Sequence, residues 1–512
     1  GGMLLRVQSL SPARARAHRA LRQRWPSSAV AVCSSAALSA DGPTGAESTT
    51  WNGLGLRAAV ARAVADGLAF EAPTAVQAAA IPRILRGKDV VVAAETGSGK
   101  TLTYLLPLAS AVLGRRAEDE GTAAAATPPF PQVLVLCPNA MLCEQVVTVA
   151  QSLRDAETGL PLLQARVLDS SAARADGFDL LAATPSRLLG TYFGYDPRSV
   201  AKESRTGTGA AASAVVREDD LAARMRCARH VVLDEADMLA DGGFLRDVKR
   251  IKELLDREEK SARSTARALE GEGGGEGAEG APTPAPQPRR QYICAAATIF
   301  SSGQRSPGQE LRKAFQKAEW VEGPRLHRNT ESLVSQEWVR VEEEEEEEED
   351  GVPAACVAEA LSAGDERTMV FCTSSSAAEE LAAQLPGSRS FHGDLPPLER
   401  QQRLRDFADG RLAVLVCTDS ASRGLDVSGV SHVVQAGFAL NAVDYLHRVG
   451  RTARAGQPGR VTTIYSAKTA ELAEAVRKAV DAGERIEDAF SRKRSFRRKY
   501  KRYGPTRKAP PA

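Results

Sequence analysis

Short apolar runs separated by stretches of helical period fill the first half of the chain from about residue 50 onward. The apolar runs cover residues 89–94, 133–136, 180–183 and 231–233, and each ends in a polar residue or a Gly/Pro turn. Between them, residues 142–153 and 244–255 repeat apolar positions at helical spacing. Short buried strands that alternate with helices predict a parallel α/β sheet.

The same alternation returns in the second half, with apolar runs at 368–371, 413–416, 433–434 and 461–465. A chain of 512 residues is longer than one hydrophobic core usually supports. We therefore predict an α/β fold of two tandem domains, each a parallel sheet flanked by helices. The first domain is predicted over 50–320 and the second over 353–485.

Segments of biased composition interrupt this pattern. Residues 257–290 pass from a Gly/Glu tract into a Pro-rich tract, which predicts a disordered insert. Residues 321–352 are predicted to be an acidic interdomain linker, because eight consecutive glutamates occupy 342–349. A charge run of this kind favours a solvated spacer, and an interaction tract is the alternative.

Positive charge is concentrated at the two ends. Residues 1–40 carry six arginines and no acid, residues 491–512 carry ten Lys/Arg and no acid, and the total of +2 leaves −14 for 41–490. Residues 1–45 therefore predict an organelle transit peptide, with a disordered basic arm as the alternative. The tail, 486–512, interleaves aromatic and basic residues, which favours RNA binding over a solvated or targeting tail.

Several classes of protein are excluded by composition. The longest apolar run, 102–113, is interrupted by Pro107, so no membrane span is expected. The eight cysteines include no Cys-x-x-Cys pair, so we expect neither a structural metal site nor a secreted disulfide framework.

A glycine-rich loop at residues 94–101 follows one apolar run and precedes a helical stretch. Such a loop binds phosphates through backbone N–H groups at a helix N-terminus. Lys100 is expected to reach the β- and γ-phosphates of ATP, and the Thr101 hydroxyl to bind Mg²⁺. The loop residues predicted to contact the nucleotide are Ala94, Glu95, Thr96, Gly97, Ser98, Gly99, Lys100 and Thr101.

Acidic residues follow another apolar run, in the tetrad Asp234-Glu235-Ala236-Asp237. An aspartate at the end of a strand can hold the metal, usually through water, and the adjacent Glu235 can activate the attacking water. The tetrad alone is a weak signal. Together with the glycine-rich loop, it predicts a nucleotide hydrolase.

Taken in order, these motifs resemble those of the DEAD-box ATP-dependent RNA helicases, a family with two RecA-like domains. The segment 70–77 is similar to the family's adenine-reading element, which assigns Phe70, Thr74 and Gln77 to the nucleotide. The resemblance further implies that Asp237 belongs to the nucleotide site and that Asp426 approaches the ribose. It makes Arg451 and Arg454 arginine fingers, whose planar guanidinium groups suit a transferring phosphoryl group.

The resemblance also implies an RNA track across both domains and residues that couple hydrolysis to strand separation. The predicted RNA-binding residues are Pro138, Asn139, Thr184, Pro185, Arg187, Arg400, Thr418, Arg423 and Gly424, and the predicted coupling residues are Ala296, Thr298 and His447. The amino-acid sequences of segments 136–145 and 444–447 further resemble those of a plastid subgroup of plant and algal family members. That subgroup implies roles in ribosomal RNA maturation and ribosome assembly, with pre-ribosomal proteins as partners; a mitochondrial location is the alternative.

The chain departs from the family pattern mainly in the RNA and coupling motifs. Ala140 and Met141 replace an arginine and a glutamate, and Ala296 replaces a serine. The expected function is RNA-stimulated ATP hydrolysis coupled to RNA unwinding or remodelling. The alternative is an ATP-gated RNA clamp or assembly scaffold with weak unwinding.

Overall fold

The computed structural model describes the chain in segments. These segments are 50–95, 97–119, 131–168, 177–193, 228–240, 244–272, 289–297, 307–323, 334–341, 352–361, 367–422, 427, 429–439, 441–453, 457–484, 486 and 489–490. Within this part of the chain, every helix is too short or too polar to cross a bilayer.

Seven parallel strands form the first sheet. They are β1 (Val90–Ala93), β2 (Val133–Leu136), β3 (Ala165–Val167), β4 (Leu180–Ala183), β5 (His230–Asp234), β6 (Gln291–Ala296) and β7 (Glu319–Glu322). Their order in the sheet is β3-β4-β2-β5-β6-β1-β7. Because all pairs are parallel, the carboxyl ends of β1, β2, β4, β5 and β6 meet at one edge.

Helices cover both faces of this sheet. They are α1 (Ala58–Arg62), α2 (Ala75–Leu85), α3 (Lys100–Asp119), α4 (Ala140–Ser152), α5 (Pro185–Phe193), α6 (Ala236–Leu239), α7 (Leu245–Glu272) and α8 (Pro307–Ala314). Alternate residues of β1 enter different cores: Val90 and Val92 pack in one apolar cluster, Val91 and Ala93 in the other. This two-sided burial is why the strands are continuous apolar runs.

Six parallel strands form the second sheet, in the order β10-β11-β9-β12-β13-β8. They are β8 (Val334–Arg340), β9 (Thr368–Cys372), β10 (Ser388–Phe391), β11 (Val414–Thr418), β12 (His432–Gln435) and β13 (Gly459–Tyr465). The flanking helices are α9 (Ala354–Leu361), α10 (Ser375–Gln384), α11 (Pro397–Ala408), α12 (Asp419–Ser422), α13 (Ala442–Val449) and α14 (Ala470–Asp481). The prediction of two parallel sheets flanked by helices is confirmed.

The prediction of a disordered insert at 257–290 is wrong for residues 257–272, because α7 continues to Glu272. The helix is amphipathic up to Leu255, and Lys252 pairs with Asp256 at 2.5 Å. Residues 257–272 are rich in Ala, Arg, Glu and Lys, which are good helix formers and extend the helix beyond the core. Residues 273–288 lie outside the described residues.

The predicted linker at 321–352 is also corrected at both ends. β7 reaches Glu322 and belongs to the first sheet, and β8 begins at Val334 and pairs with β13 in the second. Both are edge strands of mixed burial, so no apolar run marks them in the sequence. The glutamate run lies outside the described residues.

The second domain extends past its predicted end at 485. Ile486 and Ala489 are buried in its core, and the Phe490 ring stacks on Phe438 at 6.1 Å between centroids. The basic tail therefore begins after Phe490. Residues 491–512 and the predicted transit segment, 1–45, lie outside the described residues.

Candidate active site

The glycine-rich loop joins the end of β1 to the start of α3. Gly97 and Gly99 have φ angles of 83° and 82°, a left-handed conformation that glycine adopts without strain. The Lys100 ammonium group is buried beneath the loop and donates to the carbonyl oxygens of Ala94 and Glu95 at 2.8 and 2.9 Å. The positive charge is thereby held within the curve of the loop, where phosphate oxygens are expected.

Helix α2 is tied to this loop by its first turn. Thr74 and Gln77 form a reciprocal capping box: the Gln77 N–H donates to Thr74 Oγ1 at 3.3 Å, and the Thr74 N–H donates to Gln77 Oε1 at 2.8 Å. The Thr74 hydroxyl then donates to Ser98 O at 3.1 Å, and Gln77 Nε2 donates to Gly99 O at 3.2 Å. A Cβ at Gly99 would lie 2.5 Å from Gln77 Nε2, so a side chain there would displace the Gln77 amide as well as strain the backbone.

The aromatic residue of the adenine-reading segment is held through its backbone. Trp51 is buried, and its indole Nε1 donates to Phe70 O at 2.7 Å. The Phe70 side chain is half-buried and packs against the first core. One side of its ring is thus supported by protein, which fits it to stack on a base.

The carboxyl end of β5 carries the acidic tetrad. Asp234 is buried, and its Oδ2 accepts from the Tyr104 hydroxyl at 2.9 Å while its Oδ1 accepts from the Glu235 N–H at 3.1 Å. Burial, together with the neighbouring Glu235 charge, raises the pKa of Asp234 to about 7. Nearby positive charge opposes this shift, and Lys100 already does so.

Three buried oxygens at this edge have no hydrogen-bond partner among the described residues: Glu95 Oε2, Ser98 Oγ and Glu235 Oε2. Glu235 also adopts a left-handed conformation, with φ 49°, which is strained for a non-glycine residue. Buried polar atoms without partners and backbone strain concentrate at functional sites. Hard carboxylate and hydroxyl oxygens beside a buried lysine fit a nucleotide with a divalent cation.

Helix α13 brings the second domain against the tetrad. His447 Nε2 lies 3.6 Å from Asp237 Oδ2, and both side chains are buried. Possible ligand atoms of Glu235, Asp237 and His447 lie within 4.8 Å of one another. One turn further along, Arg451 is 5% exposed and its Nε donates to His447 O at 3.0 Å. The contact between the domains therefore places His447 beside the acids and Arg451 one helical turn beyond it.

Comparison with known proteins decides the family. The model of the DEAD/DEAH box helicase family matches residues 74–304, and that of the helicase conserved C-terminal domain matches 353–456. The chain is 36% identical over 514 residues to DEAD-box ATP-dependent RNA helicase 22 of Oryza sativa subsp. japonica, covering 89% of this chain and 84% of the relative. This chain belongs to the DEAD-box ATP-dependent RNA helicases.

Other similar proteins agree with this assignment. DEAD-box ATP-dependent RNA helicase 22 of Arabidopsis thaliana is 36% identical over 513 residues, covering 88% of this chain and 83% of the relative. Mss116p, solved with single-stranded RNA and AMP-PNP, gives a TM-score of 0.61 at 19% identity, covering 85% of this chain and 78% of that chain. At that identity the structure supports the fold alone, which is that of tandem RecA-like domains.

The predicted RNA-binding residues in the first domain of this DEAD-box helicase lie at the same edge of its sheet. Pro138 and Asn139 follow β2, and Asn139 caps α4 by accepting from the Leu142 N–H at 2.9 Å. Thr184 and Pro185 follow β4, and Arg187 is exposed in the first turn of α5. The structure thus brings together the residues that sequence had assigned to one track, although their role stays a prediction.

In the second domain, Thr418 ends β11 and is 7% exposed, and the Arg400 guanidinium donates to Gly393 O at 3.4 Å.

Of the predicted coupling residues, Ala296 ends β6 in the first domain, is fully buried and accepts from the Ala94 N–H at 3.1 Å. The predicted coupling residue Ala296 therefore contacts the first residue of the glycine-rich loop directly. Six predicted site residues lie outside the described residues: Thr96, Thr298, Arg423, Gly424, Asp426 and Arg454.

Two contacts of the helicase site were missed by sequence reasoning. The Tyr104 hydroxyl donates to Asp234, which lies 130 residues away in the sequence. Apart from its position one turn after Lys100, no sequence motif indicated Tyr104. Arg448 is 1% exposed and binds both oxygens of Asp419, at 2.6 and 2.7 Å. That pair fastens α13 to the end of β11 and so sets the position of His447 and Arg451. Asp419 directly follows Thr418, a predicted RNA-binding residue, and Arg448 directly follows His447, a predicted coupling residue; these positions were the available signal.

Proposed function

We propose that this ATP-dependent RNA helicase remodels ribosomal RNA during ribosome assembly in a plastid. The main support is the resemblance of 136–145 and 444–447 to a plastid subgroup, together with the arginine-rich, acid-free segment 1–40. Pre-ribosomal ribonucleoprotein is the substrate that such a role requires. Since the body of the chain is net acidic, the basic segment 491–512 supplies the positive charge for holding RNA.

We also propose that Mg²⁺ accompanies ATP in this site. The observation that supports it is the buried Asp234 carboxylate, whose pKa is raised to about 7 by burial and by Glu235. A bound cation supplies the charge that keeps such a carboxylate ionised. The Thr101 hydroxyl and Asp234 are the residues that would hold it, while Lys100 binds phosphate oxygens and Glu235 orients and deprotonates the attacking water.

Base selectivity on RNA is expected to be weak. The predicted track consists of strand ends, a capped helix and exposed or half-buried arginines, which suit phosphate and sugar contacts. A protein that holds backbone can bend one strand of many different duplexes.

A second candidate function is an ATP-gated RNA clamp. Met141, at a motif position where the family has a glutamate, packs against the apolar core of the second domain. Burial of an apolar side chain between domains favours the closed form, and a slowly reopening enzyme would hold RNA more than it unwinds it. Measuring strand separation beside ATP turnover distinguishes the two functions: an unwinding helicase separates short duplexes at a rate close to its turnover, whereas a clamp turns over ATP with little separation.

The biological proposal is tested in plant cells that express the full chain with a C-terminal fluorescent tag. We expect fluorescence in plastids, and RNA crosslinked to Glu235→Gln to be enriched in plastid ribosomal RNA precursors relative to the unmodified chain. Fluorescence confined to mitochondria, or crosslinks spread evenly over messenger RNA, would overturn the proposal and leave the helicase assignment intact.

A further inference from the structure

One buried phenol contacts a side chain that is predicted to serve the metal. Tyr104 lies on α3 one turn after Lys100, is 1% exposed and donates to Asp234 Oδ2 at 2.9 Å. The phenol therefore joins helix α3, which follows the glycine-rich loop, to the carboxyl end of strand β5.

The two oxygens of Asp234 are fixed by different donors. The Tyr104 hydroxyl holds Oδ2 and the Glu235 backbone N–H holds Oδ1. Two donors on different elements fix both the position and the plane of the carboxylate. A tyrosine hydroxyl is protonated at neutral pH, so the phenol is the donor in its bond to the Asp234 carboxylate.

We propose that Tyr104 is a positioning residue for metal-dependent nucleotide binding, because it orients the Asp234 carboxylate. Partners that orient metal-binding side chains in this way typically change metal affinity or activity by about 10–100-fold when they are removed. Tyr104 touches neither nucleotide nor metal in this account. Its action passes through Asp234, and the inference rests on the magnesium requirement proposed above.

A purely structural role for Tyr104 predicts a different result. Its ring belongs to the first apolar core, so loss of the hydroxyl would lower stability without any dependence on Mg²⁺. Tyr292 offers a matched control in the same domain: it is 6% exposed, and its hydroxyl donates to Asp256 Oδ1 at 2.7 Å. Both residues present a buried phenol to an aspartate, but only Tyr104 lies at the site.

The experiment compares Tyr104→Phe with Tyr292→Phe in the full chain. Affinity for a fluorescent ADP is measured in excess EDTA and across a Mg²⁺ titration, and thermal unfolding is recorded for each protein. We expect Tyr104→Phe to bind ADP normally in EDTA and to need about tenfold more Mg²⁺ for the same tightening. We expect Tyr292→Phe to follow the unmodified protein at every Mg²⁺ concentration.

The inference is overturned if Tyr104→Phe shows the Mg²⁺ response of the unmodified protein. It is also overturned if the variant loses ADP affinity equally with and without Mg²⁺, since that is the pattern of general structural damage. If the unmodified protein itself shows no response to Mg²⁺, the magnesium proposal fails and the role of Tyr104 fails with it, whereas a normal response in the unmodified protein isolates the test of Tyr104.

Discussion

Strand β5 has an ionisable side chain at each end, half-buried His230 at the amino end and buried Asp234 at the carboxyl end, and the two differ in their hydrogen-bond partners. At the carboxyl end, Asp234 stands beside Glu235, whose Oε2 has no hydrogen-bond partner among the described residues. At the amino end, His230 is held on both ring nitrogens, by Gln291 at 2.9 Å and Arg115 at 3.1 Å. Burial lowers the pKa of His230 to about 4 and raises that of Asp234 to about 7.

The hydrogen bonds at the amino end assign the histidine tautomer. Gln291 Nε2 donates to Ile84 O and Lys88 O at 2.8 and 2.7 Å, which leaves its Oε1 to accept from His230 Nδ1. His230 Nε2 is then free of a proton and accepts from Arg115. A hydrogen-bond network in which every member has a partner makes a fold rigid. A buried carboxylate with unsatisfied oxygens can instead accept a cation and a reacting water.

The largest effect is expected where the second domain faces the acidic end. Arg451→Ala should lower RNA-stimulated ATP turnover by about 10³-fold or more, because an arginine finger is worth about 10³–10⁵ in turnover. Nucleotide affinity of the first domain should change little, since its loop contacts remain. The control is Arg411→Ala, an exposed arginine paired with Asp406 and Asp409. A loss smaller than tenfold for Arg451→Ala would refute its assignment as a finger.

At the amino end, the expected effect is on stability and depends on pH. The folded-state pKa of His230, about 4, lies below the unfolded value, so the unfolded chain takes up the proton first as pH falls. Stability should therefore be lost between about pH 6.5 and pH 4, by an amount on the order of 3 kcal/mol. Urea unfolding of the unmodified chain and of His230→Asn across this range isolates the contribution. ATP turnover of His230→Asn at pH 7.5 should stay within about twofold of that of the unmodified chain. If the unfolding free energies of the two proteins fall in parallel as pH is lowered, His230 is not the source of the loss.

A smaller effect is expected at the adenine-reading element. Gln77→Ala removes the capping box and the bond to Gly99 O, while leaving Lys100 and Asp234 in place. We expect about a tenfold weaker affinity for ATP, corresponding to one or two lost hydrogen bonds, and reduced discrimination against GTP. Gln402→Ala, which removes an exposed bond to Asp406, serves as the control. Unchanged preference for ATP over GTP would remove Gln77 from nucleotide recognition.

The smallest effect is expected on the predicted RNA-binding surface, where a substitution should increase the affinity for RNA. Ala140 is exposed at the start of α4, where the family has an arginine. Ala140→Arg should tighten single-stranded RNA binding a few-fold and steepen its salt dependence by about 0.7 in log–log slope. Ala117→Arg, an exposed alanine near the end of α3, controls for net charge. Equal effects of the two variants would show that Ala140 does not face the RNA.

The sequence predicted both sheets because most of their central strands are apolar on two faces. The four edge strands, β3, β7, β8 and β10, were missed because partly exposed strands leave no clear apolar run. Central strand β6 was missed as well, although it is buried throughout. The first-domain motifs at 94–101, 138–139, 184–187 and 234–237 each follow a strand whose carboxyl end reaches the same edge, so the sequence could predict that they lie together. The Tyr104–Asp234 and Arg448–Asp419 contacts depend on how distant elements pack, and spacing alone does not encode them. The hydrogen-bond difference between the ends of β5 likewise became visible only in three dimensions.

The central claim is that the acidic end of β5, closed by the second domain, is an RNA-dependent ATPase site. The most direct test is ATP turnover with and without single-stranded RNA, in the unmodified chain and in Glu235→Gln. We predict strong stimulation by RNA in the unmodified chain, and a loss of about 10²–10⁴-fold in the variant while ATP still binds. Turnover that stays at background with RNA, or that survives in Glu235→Gln, would contradict the account.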